Sequence, residues 1–132
     1  MRLNYFLTEF LFPNKFKVEK HPKDSDIIDA TISLMRDSLD KKLSVEEMAA
    51  TQNLSASHFS MLFRKATGMP PIDYFIHLKM QKACQLIYAS NSKVKDIALS
   101  LGYDDPYYFS RVFRKNMGVA PEHYRLSSKG IG

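Results

Sequence analysis

The sequence predicts an all-α fold: two helix-turn-helix subdomains joined by a long linker helix. Three observations predict it. A residue pattern in 45–74 recurs about fifty positions later. Asparagine, glycine and proline punctuate both copies at corresponding points. The stretch between the copies keeps a helical apolar period for about twenty residues.

Taken in order, residues 1–12 place Leu3, Phe6, Leu7, Phe10 and Leu11 at i, i+3, i+4, i+7, i+8, the stripe of an amphipathic helix. Pro13 stops it, and residues 13–25, with two prolines, many charges and no period, read as a linker. Two readings of the stripe stay open: it packs on this chain's own body, or it meets a partner domain or a second copy. Ile27, Ile28, Leu34, Met35 and Leu39 then mark a supporting helix over 26–40, capped at Ser25 or Asp26. The domain proper spans 26–126, and 127–132 is a tail.

The first unit covers about 44–67. Ser44 and Glu47 have capping-box spacing, and Val45, Met48 and Ala49 form an apolar face. Asn53 holds the turn, since asparagine enters the left-handed region readily. A second helix runs from about Ser55, with Phe59, Leu62, Phe63 and Ala66 inward, and Gly68 ends it. The linker helix covers about 70–89. Pro70 and Pro71 suit its start, and Ile72, Phe75, Ile76, Lys79, Ala83, Leu86 and Ile87 trace one side. Twenty residues span about 30 Å, close to the roughly 34 Å of one DNA turn.

The second unit covers about 93–116. Ile97, Ala98 and Leu101 are apolar at helical spacing, and Gly102 ends that helix. Asp105 is a favoured N-cap, and Pro106 at the first helical position forfeits no bond. Phe109, Val112, Phe113 and Asn116 share one face, and Tyr107, Ser110, Arg111 and Arg114 another. Phe59, Ser60, Phe63, Arg64, Lys65, Gly68, Pro71 and Tyr74 recur at an offset of fifty as Phe109, Ser110, Phe113, Arg114, Lys115, Gly118, Pro121 and Tyr124. Val45 with Val94 and Ala49 with Ala98 match at forty-nine, so one residue is gained in the turn. Helix, short turn, and a helix with an outward basic face is the layout of a DNA reader.

Composition narrows the classes. The 132 residues suit one compact domain, and at 45% hydrophobic they can bury a core without any window of membrane-spanning length. Lone Cys84 cannot form an internal disulfide, which suits the cytoplasm. Nineteen Lys+Arg against fourteen Asp+Glu give +5, a mild bias toward polyanions. Residues 90–132 hold seven Lys/Arg and four Asp/Glu, whereas 44–68 balance, so the second half carries more phosphate attraction. The histidines (His21, His58, His77, His123) show no metal-ligand spacing, and no phosphate-loop, dinucleotide or nucleophile-elbow run occurs. No catalytic site, metal or cofactor is expected.

Ile97-Ala98, Gly102-Tyr103, Tyr108-Phe109-Ser110-Arg111, Phe113-Arg114-Lys115, Gly118, Pro121 and Tyr124-Arg125 together resemble the signature region of AraC/XylS-type transcription regulators. The resemblance implies two homeodomain-like three-helix units that bind promoter DNA. It also implies base contacts at the positions of Pro106, Tyr107 and Arg111. In that family a sensor or dimerisation domain usually precedes the DNA-binding part; 132 residues leave no room for one, so the resemblance covers the C-terminal part alone.

The candidate base readers are Ser57, Ser60, Met61, Pro106, Tyr107, Ser110 and Arg111. An outward Arg111 can bond guanine O6 and N7 together. The alternatives are a surface salt bridge for Arg111 and a core position for Tyr107. Met61 stands where the family often has Arg, which limits the first helix to van der Waals contacts and weaker hydrogen bonds. The phosphate candidates are Arg64, Lys65, Arg114 and Lys115, with Lys79 and Arg125 as helpers; the alternative for each is plain solvated charge. Expected partners are double-stranded promoter DNA, RNA polymerase, and a sensor or dimerisation domain through the N-terminal segment, with no membrane. The rival reading is a protein-interaction module that modulates a regulator or the polymerase without reading DNA.

Overall fold

A computed structural model describes residues 23–128. The expected amphipathic stretch 1–12, linker residues 13–22 and tail residues 129–132 lie outside the described residues. Seven helices follow one another: α1 (Asp24–Asp37), α2 (Val45–Thr51), α3 (Ala56–Thr67), α4 (Pro71–Ala89), α5 (Val94–Ser100), α6 (Pro106–Met117) and α7 (Pro121–Ser128). There is no strand among the described residues, so the fold is all-α. The chain divides into two units, and the division does not follow chain order. Among described residues the first comprises 23–34 and 45–71, and the second 35–44 and 72–128.

In the first unit α1 begins earlier than its expected cap. Ile27 N–H bonds the Lys23 carbonyl at 3.1 Å, which puts Ser25 inside the first turn, only 4% exposed. Asp24 and Asp26 lie beside the unpaired N–H groups of that turn, where negative charge is favoured. Ile27, Ile28 and Thr31 are buried. The Thr31 hydroxyl donates to the Ile27 carbonyl at 2.8 Å, so its polar atom is not left unsatisfied in the core. Met48 and Ala49 of α2 are buried, as are Phe59 and Phe63 of α3, whose ring centroids lie 5.8 Å apart at 43°.

The turn between α2 and α3 works as the asparagine suggested. Asn53 has φ +58°. Its N–H bonds Ala50 O at 3.1 Å, and Leu54 N–H bonds Ala49 O at 3.0 Å, the paired bonds of a left-handed helix end. Ser55 then caps α3, accepting from His58 N–H at 3.1 Å. Leu62 and Ala66, expected inward, are only half-buried. With Ile28 they line a cleft of about 280 Å³.

The second unit repeats this construction with different residues. Gly102 (φ +84°) takes the place of Asn53. Gly102 N–H bonds Leu99 O at 3.0 Å and Tyr103 N–H bonds Ala98 O at 2.9 Å. Asp105 caps α6 by accepting from Tyr107 N–H at 2.9 Å, with Pro106 as the first helical residue. Phe109 and Phe113 are fully buried, their centroids 6.0 Å apart at 44°, nearly the geometry of Phe59 and Phe63. Their core also takes Met80, Ala83 and Ile87 from α4 and Val94, Ile97, Ala98 and Leu101 from α5 and its end.

Four details differ from expectation. Leu78 and Met80 of α4 are buried besides the expected side, so that helix is apolar over a wider arc than one stripe. Leu39 lies beyond the end of α1 and packs on the second unit's core. Asn116 is off the core face: it is exposed and donates back to the Val112 carbonyl at 2.9 Å. Finally, α7 extends to Ser128, past the expected start of the tail at 127. Tyr124 of α7 packs edge-on against Phe113 at 5.8 Å.

Candidate nucleic-acid interface

Two fully buried phenylalanines set what each second helix shows to solvent. Residues 100° apart around a helix cannot all face one way. With Phe109 and Phe113 inward, Tyr107 is turned out and 78% exposed, and Tyr108 is 49% exposed. The core alternative for Tyr107 is thereby excluded. Arg111 is exposed, and no ion pair to it occurs among the described residues, so the salt-bridge alternative is not what the side chain does. Its guanidinium carbon instead lies 5.6 Å from the centroid of the Tyr108 ring, three residues earlier on the helix. Pro106 and Ser110 are half-buried beside this face. Arg114 and Lys115 are exposed in the last turn of α6, where they also oppose the negative end of the helix dipole.

On α3, Ser57 and His58 are exposed, Met61 is 58% exposed and Ser60 is half-buried. Arg64 and Lys65 occupy the last turn. The outward face of α3 thus carries hydroxyls and a thioether where α6 carries a phenol and a guanidinium. Each helix alone brings its sequence-predicted residues to one solvent-facing side.

Lys79 is a correction. It is 5% exposed and cannot reach a phosphate. Its ammonium donates all three protons to main-chain carbonyls: Leu39 at 2.7 Å, Lys41 at 2.7 Å and Leu101 at 2.6 Å. It also lies 4.6 Å from the Phe75 ring centroid and 5.6 Å from that of Tyr103. Burial pushes its pKa down to about 8; Asp40 opposes this and Lys42 adds to it. Burial, and then the neighbouring Tyr108, pushes the Tyr103 phenol up to about 12. Lys79 therefore ties α4 to the α1–α2 loop and to the end of α5. Its position on the apolar side of α4 was the available signal, because a lysine there must either snorkel out or be satisfied inside.

Arg125 is a second correction. It is half-buried, and its Nη2 bonds Ser92 O at 2.7 Å and Ser90 O at 3.4 Å, just beyond α4. These bonds hold α7 to the loop that follows α4.

Sequence reasoning passed over Lys41 and Lys42. Both are exposed, and both line an open cleft of about 510 Å³ that also includes Tyr108 and Arg111. Lys42 Nζ pairs with Asp104 Oδ2 at 2.9 Å. The doublet was visible in the chain, but nothing local announced that it folds beside residues about seventy positions away.

Among the described residues no group of three or more His, Cys, Asp or Glu side chains could hold a metal ion. No described helix is long and apolar enough to cross a membrane. Burial pushes the Cys84 thiol up, which keeps it protonated beside Tyr124.

A family model described as a helix-turn-helix domain matches residues 48–127. The MmsAB operon regulatory protein of Pseudomonas aeruginosa is 44% identical over 98 residues, covering 74% of this chain and 32% of that protein. The HTH-type transcriptional activator AarP of Providencia stuartii is 30% identical over 112 residues, covering 84% of this chain and 83% of AarP. Among solved structures, the DNA-binding domain of the global transcriptional factor AdpA, in complex with a target DNA, superposes with a TM-score of 0.75 at 26% identity. That match covers 80% of this chain and 96% of the other. The chain spans less than half the length of two of its curated relatives, 32% of one and 44% of the other. The matched span, the duplicated capped helices and the signature residues of the second unit agree, and the chain belongs to the helix-turn-helix family of AraC/XylS-type DNA-binding domains.

Proposed function

We propose that this chain binds duplex promoter DNA sequence-specifically, as the DNA-binding part of a transcription regulator in the cytoplasm. The observation that carries the reading is the face of α6. A helix with a fixed start holds Tyr107 and Arg111 in solvent, while Phe109 and Phe113 anchor it from behind. Relatives described as an operon regulatory protein and a transcriptional activator, and a structural neighbour bound to its target DNA, support it.

In this mechanism α3 and α6 each enter a major groove and read two non-identical boxes. Arg111 bonds guanine O6 and N7, worth about 1–3 kcal/mol of discrimination. Pro106, Tyr107 and Ser110 touch neighbouring base edges. Ser57, Ser60 and Met61 read the other box, with Met61 against thymine methyl groups. Arg64, Lys65, Arg114 and Lys115 hold phosphates and set the register. Contacts to RNA polymerase and to a sensor or dimerisation domain complete the proposed regulator. No step in this mechanism calls for enzymatic chemistry.

The test is selection of bound duplexes from a random-sequence pool at low and near-physiological salt. Two enriched boxes about one helical turn apart support the reading. Binding without sequence preference that vanishes with salt overturns it. The exposed Met61, an apolar side chain on a reading face, then favours the rival protein-interaction module.

A further inference from the structure

We propose that Lys41 and Lys42, on the loop between α1 and α2, form a phosphate-binding arm that grips the DNA backbone beside the bases read by α6. The proposal rests on the DNA-reading function above and adds two contacts to it.

The first observation is proximity within the second unit. Lys41, Lys42, Tyr108 and Arg111 line one open cleft. A duplex whose bases meet Arg111 presents its phosphates a few ångströms to either side, within reach of a lysine side chain on the cleft wall.

The second observation is that the loop is held while its side chains are free to reach. Lys79 Nζ takes the Leu39 and Lys41 carbonyls, each at 2.7 Å. Lys41 N–H bonds Ser38 O at 2.9 Å. Gly102, at the turn leading into α6, sits so close that an added Cβ would lie 3.2 Å from both the Asp40 and Lys41 carbonyls. Every one of these bonds uses main chain. The backbone is thus prearranged beside α6, and no loop-ordering cost falls on binding. The side chains of Lys41 and Lys42 remain exposed.

The third observation concerns charge. Asp105 is committed to the cap of α6, and Lys79 is committed to its carbonyls. Asp104 is the acid paired with the arm. Its pair with Lys42 is 73% and 83% exposed on its two side chains. Such a surface pair is weak, so an incoming phosphate can displace it. Asp104 then acts as a brake: it occupies Lys42 in the free protein and repels the backbone that Lys42 would hold.

The test uses the full chain and a duplex recovered from the random-sequence selection. The binding constant of wild type, of the double variant Lys41→Gln/Lys42→Gln and of Asp104→Asn is measured across a salt series. The double variant keeps every main-chain bond of the loop, and far-ultraviolet circular dichroism checks its fold. Its plot of log K against log salt should become shallower by about 1.8, or about 0.9 for each lost phosphate contact. Its base preference should not change. Asp104→Asn should bind several-fold more tightly than wild type, and the gain should shrink to the part owed to direct repulsion when Lys42→Gln is added; a gain of the same size in both backgrounds overturns the role of Lys42. An unchanged salt slope for the double variant, where Arg114→Ala shortens the slope in the same assay, overturns the arm and leaves the DNA-reading function standing. Wild-type protein that selects no sequence overturns both.

Discussion

Gly102 and Gly118 share a backbone conformation but not an environment, and replacing each with alanine separates two kinds of cost. Their φ angles are +84° and +88°. Alanine at either position accepts a left-handed conformation worth about 1–2 kcal/mol of strain. Around Gly118 nothing lies within 4 Å of an added Cβ, so strain is the whole cost. Around Gly102 the same atom would lie 3.2 Å from the Asp40 and Lys41 carbonyls and from Lys79 Nζ. Two of those three atoms are backbone, and two of them, the Lys41 carbonyl and Lys79 Nζ, belong to the network in which Lys79 makes bonds of 2.6–2.7 Å. Relieving the crowding pulls that network apart, an overpacking cost of about 1–3 kcal/mol. Gly118→Ala should therefore lose about 1–2 kcal/mol and Gly102→Ala about 2–5 kcal/mol in urea denaturation followed by circular dichroism. Both residues lie in the second unit, so the comparison is internal to it. Equal losses, or a smaller one at Gly102, would refute the argument that close approach to the loop matters.

The buried ammonium gives a pH signature. Lys79 has its pKa lowered from 10.5 to about 8, chiefly by burial. A lowered lysine pKa penalises the folded state fully below about 8 and relaxes as pH rises toward 10.5. Wild type should accordingly gain thermal stability relative to Lys79→Met between pH 8 and 10, and a difference in Tm that stays flat across that window would contradict it. Arg111→Ala should relax base preference at one position, whereas Arg114→Ala should weaken binding on all sequences and shorten the salt slope by about 1; selection and salt titration separate the two, and unchanged specificity in Arg111→Ala removes it as a reader. Asp105→Ala should cost about 1 kcal/mol by leaving the Tyr107 N–H without its cap, measured by urea denaturation, and a loss below a few tenths would mean that Pro106 alone fixes the helix start.

Local rules account for most of what the sequence disclosed. Asn53 and Gly102 marked the turns because few residues tolerate the conformation those turns adopt. Ser55 and Asp105 marked helix starts because their side chains accept from the next free N–H groups. Phe59, Phe63, Phe109 and Phe113 marked the core by spacing, and so determined that Tyr107 and Arg111 face solvent. The misreadings share a cause: they turn on which distant backbone a side chain meets. Lys79 and Arg125 read as free cations, and their carbonyl partners lie between 22 and 40 residues away in the chain. The start of α1 slipped because Ser25 and Asp26 are both good caps, and only the Lys23 carbonyl bond distinguishes them from residues inside the turn. Lys41 and Lys42 could not be tied to Arg111 by any periodicity, since neither residue belongs to a repeat.

The interleaved division of the chain bears on how it is made. During synthesis the Leu39 and Lys41 carbonyls leave the ribosome about forty residues before Lys79, and the Leu101 carbonyl follows Lys79 by 22. At about 5–20 residues per second, that last step is a wait of about 1–4 seconds. The whole α2–α3 pair is translated earlier, between the Lys41 carbonyl and Lys79, and has its own buried phenylalanines to close around. The ammonium keeps its water until its third acceptor arrives, so the second unit cannot complete its interior piecemeal from the N-terminus. A fragment cut at the start of α4 would carry Lys79 and Leu101 without the loop that answers them, and its lysine would have to stay wet.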